Sequence, residues 1–365
     1  MPRAPMPKGG SVNADERSNV ERTGFATGYD GTLGARQMAE YMSRADGLGY
    51  EVGFFSETIE LLRDAPTSMT AFALSTNRMQ LGCTMIARLR SPIVMAQTIA
   101  SLNEISNGRT IVAVGACTRS HAVKHSLPHL DPPGTLTEWV ETIRLLLTGE
   151  EVTYDGQFVK LNKVGLGYEP RFKEAKILIP AISRTGLELA AAIGDGVVLT
   201  SISSPEYSAN AISILRQAVT RNGRDWDEFE VAQLVNCSIS EDKDAAFDAI
   251  RWEIATNFNP VQLPFVVRPR MRVGEPTITE DDISRLEAAY ETGGEAALVK
   301  AIPDRFVEGL TASGAPRDVK ARVDQYRRAG VKLPLIRPAS LNQIPIALDL
   351  FSSAGHGNRS NGAGA

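Results

Sequence analysis

The chain has 365 residues, of which 43% are hydrophobic, and its formal net charge at pH 7 is −4. Such a chain can form one large domain or two ordinary ones around a buried core. The weakly acidic charge gives no reason to expect nucleic acid or an anionic membrane as a partner. No run of about 18 apolar residues could span a bilayer and no apolar signal segment opens the chain, so a soluble cytoplasmic protein is the default expectation.

Three cysteines, Cys83, Cys117 and Cys237, lie far apart inside apolar, strand-like segments. Disulfide frameworks and zinc sites usually show several cysteines or histidines at short, regular spacings. We therefore expect reduced thiols, with neither a disulfide nor a metal site.

Strand-like and helix-like segments alternate between the two ends of the chain. Residues 1–18 and 352–365 are polar or glycine-rich and are predicted to be disordered tails around a folded body, residues 19–351. The first half is predicted to contain strands at 20–25, 51–55, 79–86 and 110–114, and helices at 35–48, at 67–75 and from Pro92 onwards.

The segment 79–117 shows the type of unit most clearly. Its first strand is apolar without alternation, which indicates burial on both faces, as in a parallel sheet. Ser91 and Pro92 are typical of the start of a helix, and Gly108 is typical of its end. The pattern predicts a right-handed crossover between parallel strands, whose carboxyl ends point to the same edge.

The second half continues this alternation. Thr135 and Glu138 match a capping box, and Asp155 with Gly156 predicts the turn of a hairpin over 151–161. Further strands are predicted at 177–180, 196–199, 230–238 and 333–337, with helices at 185–193, 205–221 and 317–329.

Eight parallel strands with intervening helices predict an α/β protein that forms a single (β/α)₈ TIM barrel. An open doubly wound sheet is the alternative, but no G-x-G-x-x-G follows the first strand. Residues 255–315 are too many for an ordinary loop and predict an insertion after the seventh strand, which would serve as a lid or substrate wall at the mouth of the barrel.

Several phrases together resemble the luciferase-like flavin and deazaflavin oxidoreductase superfamily. They are AEYMSRADGLGYEVGFFSE (39–57), STNRMQLGCTMI (75–86), SPIVMAQTIASLNEISNGRTIVAVGA (91–116), IRLLLTGEEVTYDGQFVKL (143–161), ELAAAIGDGVVLTS (188–201) and SGAPRDVKARVDQYRRAGV (313–331). The chain most resembles the branch that uses coenzyme F420, notably the methylenetetrahydromethanopterin reductase-like proteins. This resemblance implies a barrel that holds a flavin or deazaflavin ring at its carboxyl-terminal mouth. Members are usually dimers or larger, and a homodimer is expected here.

The resemblance also implies where the ring lies. Its support would be a non-prolyl cis peptide at Thr84-Met85, at the end of the third strand; the alternative is that Thr84 is only the last buried residue of that strand. Gly115, Ala116 and Cys117, at the end of the fourth strand, would form the wall beside the ring.

The phosphate-bearing tail of the cofactor is assigned to the sequence ISRTG. The Ser183 and Thr185 hydroxyls, the Arg184 guanidinium and the first N–H groups of the following helix could hold a dianion. A capped helix with a solvated arginine is the alternative. The resemblance adds Thr200, at the end of the sixth strand, as a contact to the tail. Members of the deazaflavin branch often have glycines where this chain has Ile182 and Ser183.

The acid–base residues depart most from the family. Members commonly carry Asp-His where this chain has Glu57 and Thr58, and an acidic residue where it has Thr118. Glu57 and His121 are therefore the candidate catalytic residues, and His125 is a second histidine on the same loop. Each histidine could instead be a solvated loop residue.

Three functions remain open on this basis. The first is an oxidoreductase that transfers a hydride between coenzyme F420 and a small organic substrate. The second is an FMN-dependent monooxygenase, and the third is a cofactor-binding barrel that is catalytically silent, as the replacements at Thr58 and Thr118 would allow.

Overall fold

Parallel strands and helices alternate along the chain in a computed structural model of the protein. The structure describes residues 21–27, 31–117, 119–128 and 131–352. Both predicted tails, apart from Ser352, lie outside these residues.

Eight of the strands form a closed barrel. In chain order the strands are β1 (Gly24–Ala26), β2 (Val52–Phe55), β3 (Gln80–Ile86), β4 (Thr110–Gly115), β5 (Val152–Asp155), β6 (Lys160–Val164), β7 (Lys176–Ala181), β8 (Gly196–Leu199), β9 (Glu230–Ile239), β10 (Ala312–Gly314) and β11 (Leu333–Pro338). Neighbours pair in parallel in the order β1-β2-β3-β4-β7-β8-β9-β11, and β11 pairs back onto β1. This closure confirms the predicted TIM barrel and contradicts the open sheet.

Helices surround the barrel on its outside. They are α1 (Ala35–Gly47), α2 (Ala65–Ser75), α3 (Pro92–Ser106), α4 (Arg119–Lys124), α5 (Pro132–Leu147), α6 (Arg184–Ile193), α7 (Pro205–Arg221), α8 (Lys243–Phe258), α9 (Val267–Val273), α10 (Glu280–Ala301, kinked at Gly293 and Gly294), α11 (Asp304–Leu310), α12 (Pro316–Arg328) and α13 (Ile344–Leu350). In the described part of the chain, no helix is both long and apolar enough to cross a membrane.

Alternation along each strand separates two layers of core. On β3, Cys83 and Met85 join the large core between the barrel and its helices. The interior of the barrel holds side chains such as Phe54 and Ala113. Because side chains alternate, Thr84 points into the barrel at its carboxyl-terminal end.

The start of helix α5 differs from the prediction. The helix begins at Pro132, and the side chain of Asp131 caps it by accepting a hydrogen bond from the Gly134 N–H at 3.2 Å. The predicted capping box is therefore wrong, because Asp131 and the following prolines start the helix earlier. The predicted hairpin is confirmed as the antiparallel pair β5–β6.

Glu138 caps the hairpin rather than its own helix. Its carboxylate accepts backbone N–H bonds from Gln157, Phe158 and Val159 at 2.7, 2.7 and 2.8 Å. Burial alone would raise the pKa of Glu138, but these three bonds lower it below its ordinary value. The carboxylate thus fastens the hairpin to α5.

The segment after β9 forms a helical unit. It comprises α8 to α11 and β10, so it starts before residue 255, which lies inside α8. The unit has its own apolar core, in which the rings of Phe258 and Phe306 stack at 5.2 Å. β10 pairs with the last residues of β9, whereas β8 pairs with the first ones. The unit, called the insertion below, therefore continues the barrel wall at the carboxyl end of β9.

Candidate active site

The mouth of the barrel has a small floor at the ends of three neighbouring strands. Thr84 of β3, Gly115 of β4 and Pro180 of β7 are each half-buried there. A Cβ atom built on Gly115 would lie 3.7 Å from Pro180 Cγ and 3.8 Å from Thr84 Cγ2. The structure thus brings Thr84 and Gly115 close together in this floor, whereas the sequence analysis assigned Gly115 to the wall beside the ring, and it adds Pro180, which the sequence did not single out.

The predicted cis peptide is absent. The described residues contain no cis peptide bond, so the Thr84-Met85 bond is trans. The parallel register with β4 runs without a break from Leu81 to Ile86, and a cis bond costs about 3–4 kcal/mol. The Met85 side chain is fully buried in the outer core, so it does not line the mouth.

Glu57 links the ends of two strands. Its side chain is only 7% exposed, and Oε1 lies 2.7 Å from Nη1 of Arg90. Its Oε2 accepts the backbone N–H of Ile86 at 2.7 Å. Both oxygens have partners, which supports a role in holding the loops after β2 and β3. The assignment of Glu57 as a proton donor remains a prediction.

The chain turns sharply after β4. Ala116 and Cys117 are half-buried, and Cys117 has a φ of 68°, a left-handed conformation that is unusual for a residue other than glycine. Thr118 lies outside the described residues. Helix α4 begins at Arg119, and His121 is its third residue.

His121 belongs to a small group of charged and imidazole side chains. Its ring centre lies 6.4 Å from that of His125, whose Nε2 is 3.5 Å from a carboxylate oxygen of Glu60. Lys124 also pairs with Glu60, at 2.5 Å, so the loops after β2 and β4 are tied together. Burial, His125 and Lys124 lower the pKa of His121 below its ordinary value, so its ring is mostly neutral at pH 7.

The predicted site for the phosphate tail lies at the amino terminus of α6. Ser183 is the N-cap, and its hydroxyl accepts the Gly186 N–H at 3.2 Å. The first N–H groups of a helix have no acceptor within that helix and can hold an anion. Thr185 is exposed, and the exposed Arg184 guanidinium lies 3.7 Å from Glu188. The side chains can therefore reach a ligand, although their binding role remains a prediction.

The loop after β8 is buried and strained. Thr200 donates a hydrogen bond to the carbonyl of Ser201 at 3.2 Å. Ile202, which is 2% exposed, has a φ of 55°. A β-branched residue in this region is an outlier that costs about 1–2 kcal/mol. Neighbouring groups must therefore hold the loop in place.

Sequence reasoning missed a buried polar cluster at the same end of the barrel. Arg337 of β11 donates to Glu253 Oε2 at 2.7 Å and to Asn236 Oδ1 at 2.9 Å, and Asn236 in turn donates to Glu253. Burial raises the pKa of Glu253 although Arg337 opposes this. The cluster joins α8 to β9 and β11. A charged residue within the apolar strand 333–337 was the signal that could have indicated it.

These features fit a planar ring with an anionic tail. Thr84, Gly115 and Pro180 present a floor without large side chains, and the Gly115 position leaves room that a Cβ would occupy. The helix start at Ser183 lies beyond the end of β7, which is one of the floor strands. Parallel barrels bind ligands at this end of their strands.

Comparisons with known proteins agree with this arrangement. A family profile described as luciferase-like monooxygenase matches residues 21–333. The chain is 28% identical over 296 residues to a 5,10-methylenetetrahydromethanopterin reductase of Archaeoglobus fulgidus, covering 81% of this chain and 87% of that protein. It is also 28% identical over 293 residues to an F420-dependent glucose-6-phosphate dehydrogenase of Nakamurella multipartita, covering 76% and 83%.

A solved structure shows the same fold. The coenzyme F420 dependent tetrahydromethanopterin reductase from Methanopyrus kandleri superposes with a TM-score of 0.79 at 20% identity, covering 93% of this chain and 99% of that one. The family profile extends over most of the chain and includes the floor, the start of α6 and the insertion. The chain therefore belongs to the luciferase-like monooxygenase family.

Proposed function

We propose that the protein is an F420-dependent oxidoreductase that transfers a hydride between the deazaflavin and a small organic substrate. The observation that carries this proposal is the similarity, over 81% and 76% of the chain, to relatives named as a methylenetetrahydromethanopterin reductase and an F420-dependent dehydrogenase. The prediction of coenzyme F420 made from the sequence agrees with these relatives.

The residues of the mouth have separate tasks in this proposal. When bound, the deazaflavin supplies the carbon centre that accepts or donates the hydride. Thr84 and Gly115 support the ring from below, with Ala116 and Cys117 beside it. The start of α6, with Ser183, Arg184 and Thr185, and Thr200 of the next loop hold the anionic tail.

Proton delivery is assigned to the loops around the floor. His121 lies on the helix that follows β4 and is half-buried. Glu57 is already bound by Arg90 and by the Ile86 N–H, so we assign it the role of positioning the loops after β2 and β3. The insertion excludes water from the mouth, which hydride transfer requires.

Titration with coenzyme F420 tests the proposal. We expect saturable binding, followed by reduction or oxidation of the bound cofactor when a substrate is added. Failure of both the oxidised and the reduced cofactor to bind would contradict it. Variants of the floor, such as Gly115→Val, should bind the cofactor more weakly. Their matched control is Gly47→Ala, because a Cβ at this position of α1 meets nothing within 4 Å.

An FMN-dependent monooxygenase is the second candidate, because the family profile carries that description. Consumption of oxygen by the protein with reduced FMN and a substrate would favour it over the F420 reaction. Binding of F420 without turnover of any substrate would instead favour the silent cofactor-binding barrel.

We further propose that the protein works as a cytoplasmic homodimer. Helices α2 and α3 pack against each other, and they expose Leu74, Val94 and Ile105 at 75%, 46% and 41%. A second copy of the chain would cover these apolar side chains. A small molecule is the expected substrate, and the net charge of −4 gives no support for nucleic acid as a partner.

A further inference from the structure

The strained loop after β8 is held from several sides. On one side of Ile202, the Ser201 carbonyl accepts a hydrogen bond from Arg270 Nη1 at 3.3 Å. On the other side, the Ser204 N–H donates to Glu275 Oε2 at 2.8 Å. Both Arg270 and Glu275 belong to the insertion. Two of its side chains therefore fix the backbone on either side of the strained residue.

Ser203, which follows Ile202, is held by α12 and β9. The Ser203 carbonyl accepts a hydrogen bond from the Tyr326 hydroxyl at 2.5 Å, and the Ser203 side-chain oxygen accepts one from Gln233 Nε2 at 3.1 Å. The Ile202 side chain is itself part of the apolar core of the insertion. A conformation that is intrinsically unfavourable persists where surrounding contacts determine it this fully.

Arg270 is an unusual residue for this position. Its side chain is 0% exposed, and its other two hydrogen bonds go to the Val266 carbonyl at 3.2 Å and to Asn257 Oδ1 at 3.0 Å. Burial lowers its pKa to about 10, and the charge of Glu275 acts in the opposite direction. Burying a guanidinium on neutral acceptors is unfavourable, and an apolar side chain could fill the same space.

Thr200 and Ser201 begin the same loop, beside the predicted binding site of the cofactor tail. Under the proposed function, the contacts of Arg270 and Glu275 with this loop can therefore affect cofactor binding. We infer that Arg270, together with Glu275, is a positioning residue that presents the loop 200–204 to the anionic tail of the cofactor. The insertion would then set cofactor affinity through this loop, in addition to covering the substrate. This inference rests on the proposed function.

The test compares the same substitution at two arginines of α9. Arg270→Lys keeps the charge but cannot reach three acceptors, whereas Arg268→Lys changes an arginine that pairs with Glu280 at the surface. For Arg270→Lys we expect an F420 Kd raised by at least about fivefold, with kcat and the substrate KM within about twofold of wild type. Hydrogen exchange of the amides 201–204, measured without cofactor, should become faster. Arg268→Lys should change neither the F420 Kd nor the exchange of these amides.

Two further variants keep the test decisive. Glycine adopts a φ of 55° without strain, so in Ile202→Gly the loop should depend less on its hydrogen bonds with Arg270 and Glu275. Arg270→Lys should then weaken F420 binding less in the Ile202→Gly background than in wild type. An equal effect in both backgrounds would overturn the inference. Because Ile202→Gly also removes a side chain from the core of the insertion, it is not expected to rescue an unfolded protein. If Arg270→Lys does not fold, Glu275→Gln takes its place, since it weakens the acceptor of the Ser204 N–H, and an unchanged F420 Kd in that folded variant would overturn the inference.

Two other results have different meanings. If wild type binds F420 and a folded Arg270→Lys variant binds it equally well, the inference is wrong while the proposed function stands. If wild type binds neither F420 nor FMN, the proposed function is wrong and the inference fails with it, even when the exchange of residues 201–204 responds to the substitution.

Discussion

At the scale of single residues, Glu230 combines burial with two cationic partners. It lies at the start of β9, at the opposite end of the barrel from the mouth. Its carboxylate oxygens are 3.1 and 2.9 Å from Arg22 and 2.9 Å from Lys176. Burial alone would raise the pKa of Glu230, but the two cations lower it to about 2. The ionised carboxylate of Glu230 therefore stabilises the folded state.

We predict that Glu230→Gln lowers the free energy of unfolding at pH 7 by about 2–4 kcal/mol, because Arg22 loses a buried counter-ion. The folded pKa is lower than the unfolded value of about 4.3, so the stabilisation is complete above that value and is lost as the pH falls towards 2. Denaturant unfolding of both proteins should thus converge between about pH 4.5 and pH 2. Asp155→Asn, which breaks an exposed pair with Lys160, should leave stability unchanged.

His121 supports a prediction about activity. Its pKa is lower than the ordinary value, so the protonated ring accumulates only when the pH falls below that lowered pKa. If it delivers the proton, kcat should rise as the pH falls through this pKa, and His121→Gln should lower kcat by about 10²-fold and abolish that rise. His125→Gln is the matched control: it should keep kcat and the rise at low pH, with the rise moved to higher pH because His125 no longer lowers the pKa of His121. A His121→Gln enzyme with an unchanged pH profile would exclude this role.

At the scale of elements, β3, β4 and β7 together make the floor of the mouth. A side chain can replace the hydrogen of Gly115 without a steric clash, because a Cβ there would make contacts of ordinary length with Pro180 and Thr84. The same Cβ would rise into the space that we assign to the ring. Changes at Gly115 can therefore separate binding from folding.

We predict that Gly115→Val raises the F420 Kd at least tenfold, which corresponds to about 1.4 kcal/mol, and leaves the free energy of unfolding within about 1 kcal/mol of wild type. Fluorescence titration and denaturant unfolding measure the two quantities. Equal F420 affinity in the two proteins would show that the ring does not lie on this floor.

Two elements show the limits of local sequence patterns. Thr135 and Glu138 have the spacing of a capping box, yet Asp131 caps the helix and Glu138 caps the turn of the hairpin. The spacing of two residues in a sequence does not reveal a third acceptor or donor that the fold brings closer. The hairpin itself was predicted, but its turn lies later than expected, because Asp155 is the last residue of β5 and pairs with Lys160, so residues 156–159 form the loop.

At the scale of the whole molecule, the exposed apolar side chains of α2 and α3 form the surface that we assign to the proposed dimer. We predict that Leu74→Lys combined with Val94→Lys converts a dimer into a monomer, because two charges would be buried at the interface. Sedimentation measures the mass directly. Val123→Lys, on α4, also replaces an exposed apolar side chain and should leave the dimer intact. A monomeric wild-type protein would contradict the proposed dimer.

The sequence by itself determined the barrel, the family and the approximate positions of the strands. Apolar strand segments and helix caps are local signals, and their order along the chain leaves few topologies. The tertiary structure alone decided which groups meet: Glu57 with Arg90, Glu253 with Arg337, and Arg270 with the Ser201 carbonyl beside the strained Ile202. Arg337 and Glu253 are separated by 84 positions in the chain, and the φ of Ile202 depends on groups from three other elements. No local pattern encodes such contacts, because they exist only when the barrel has closed and the insertion has packed against it.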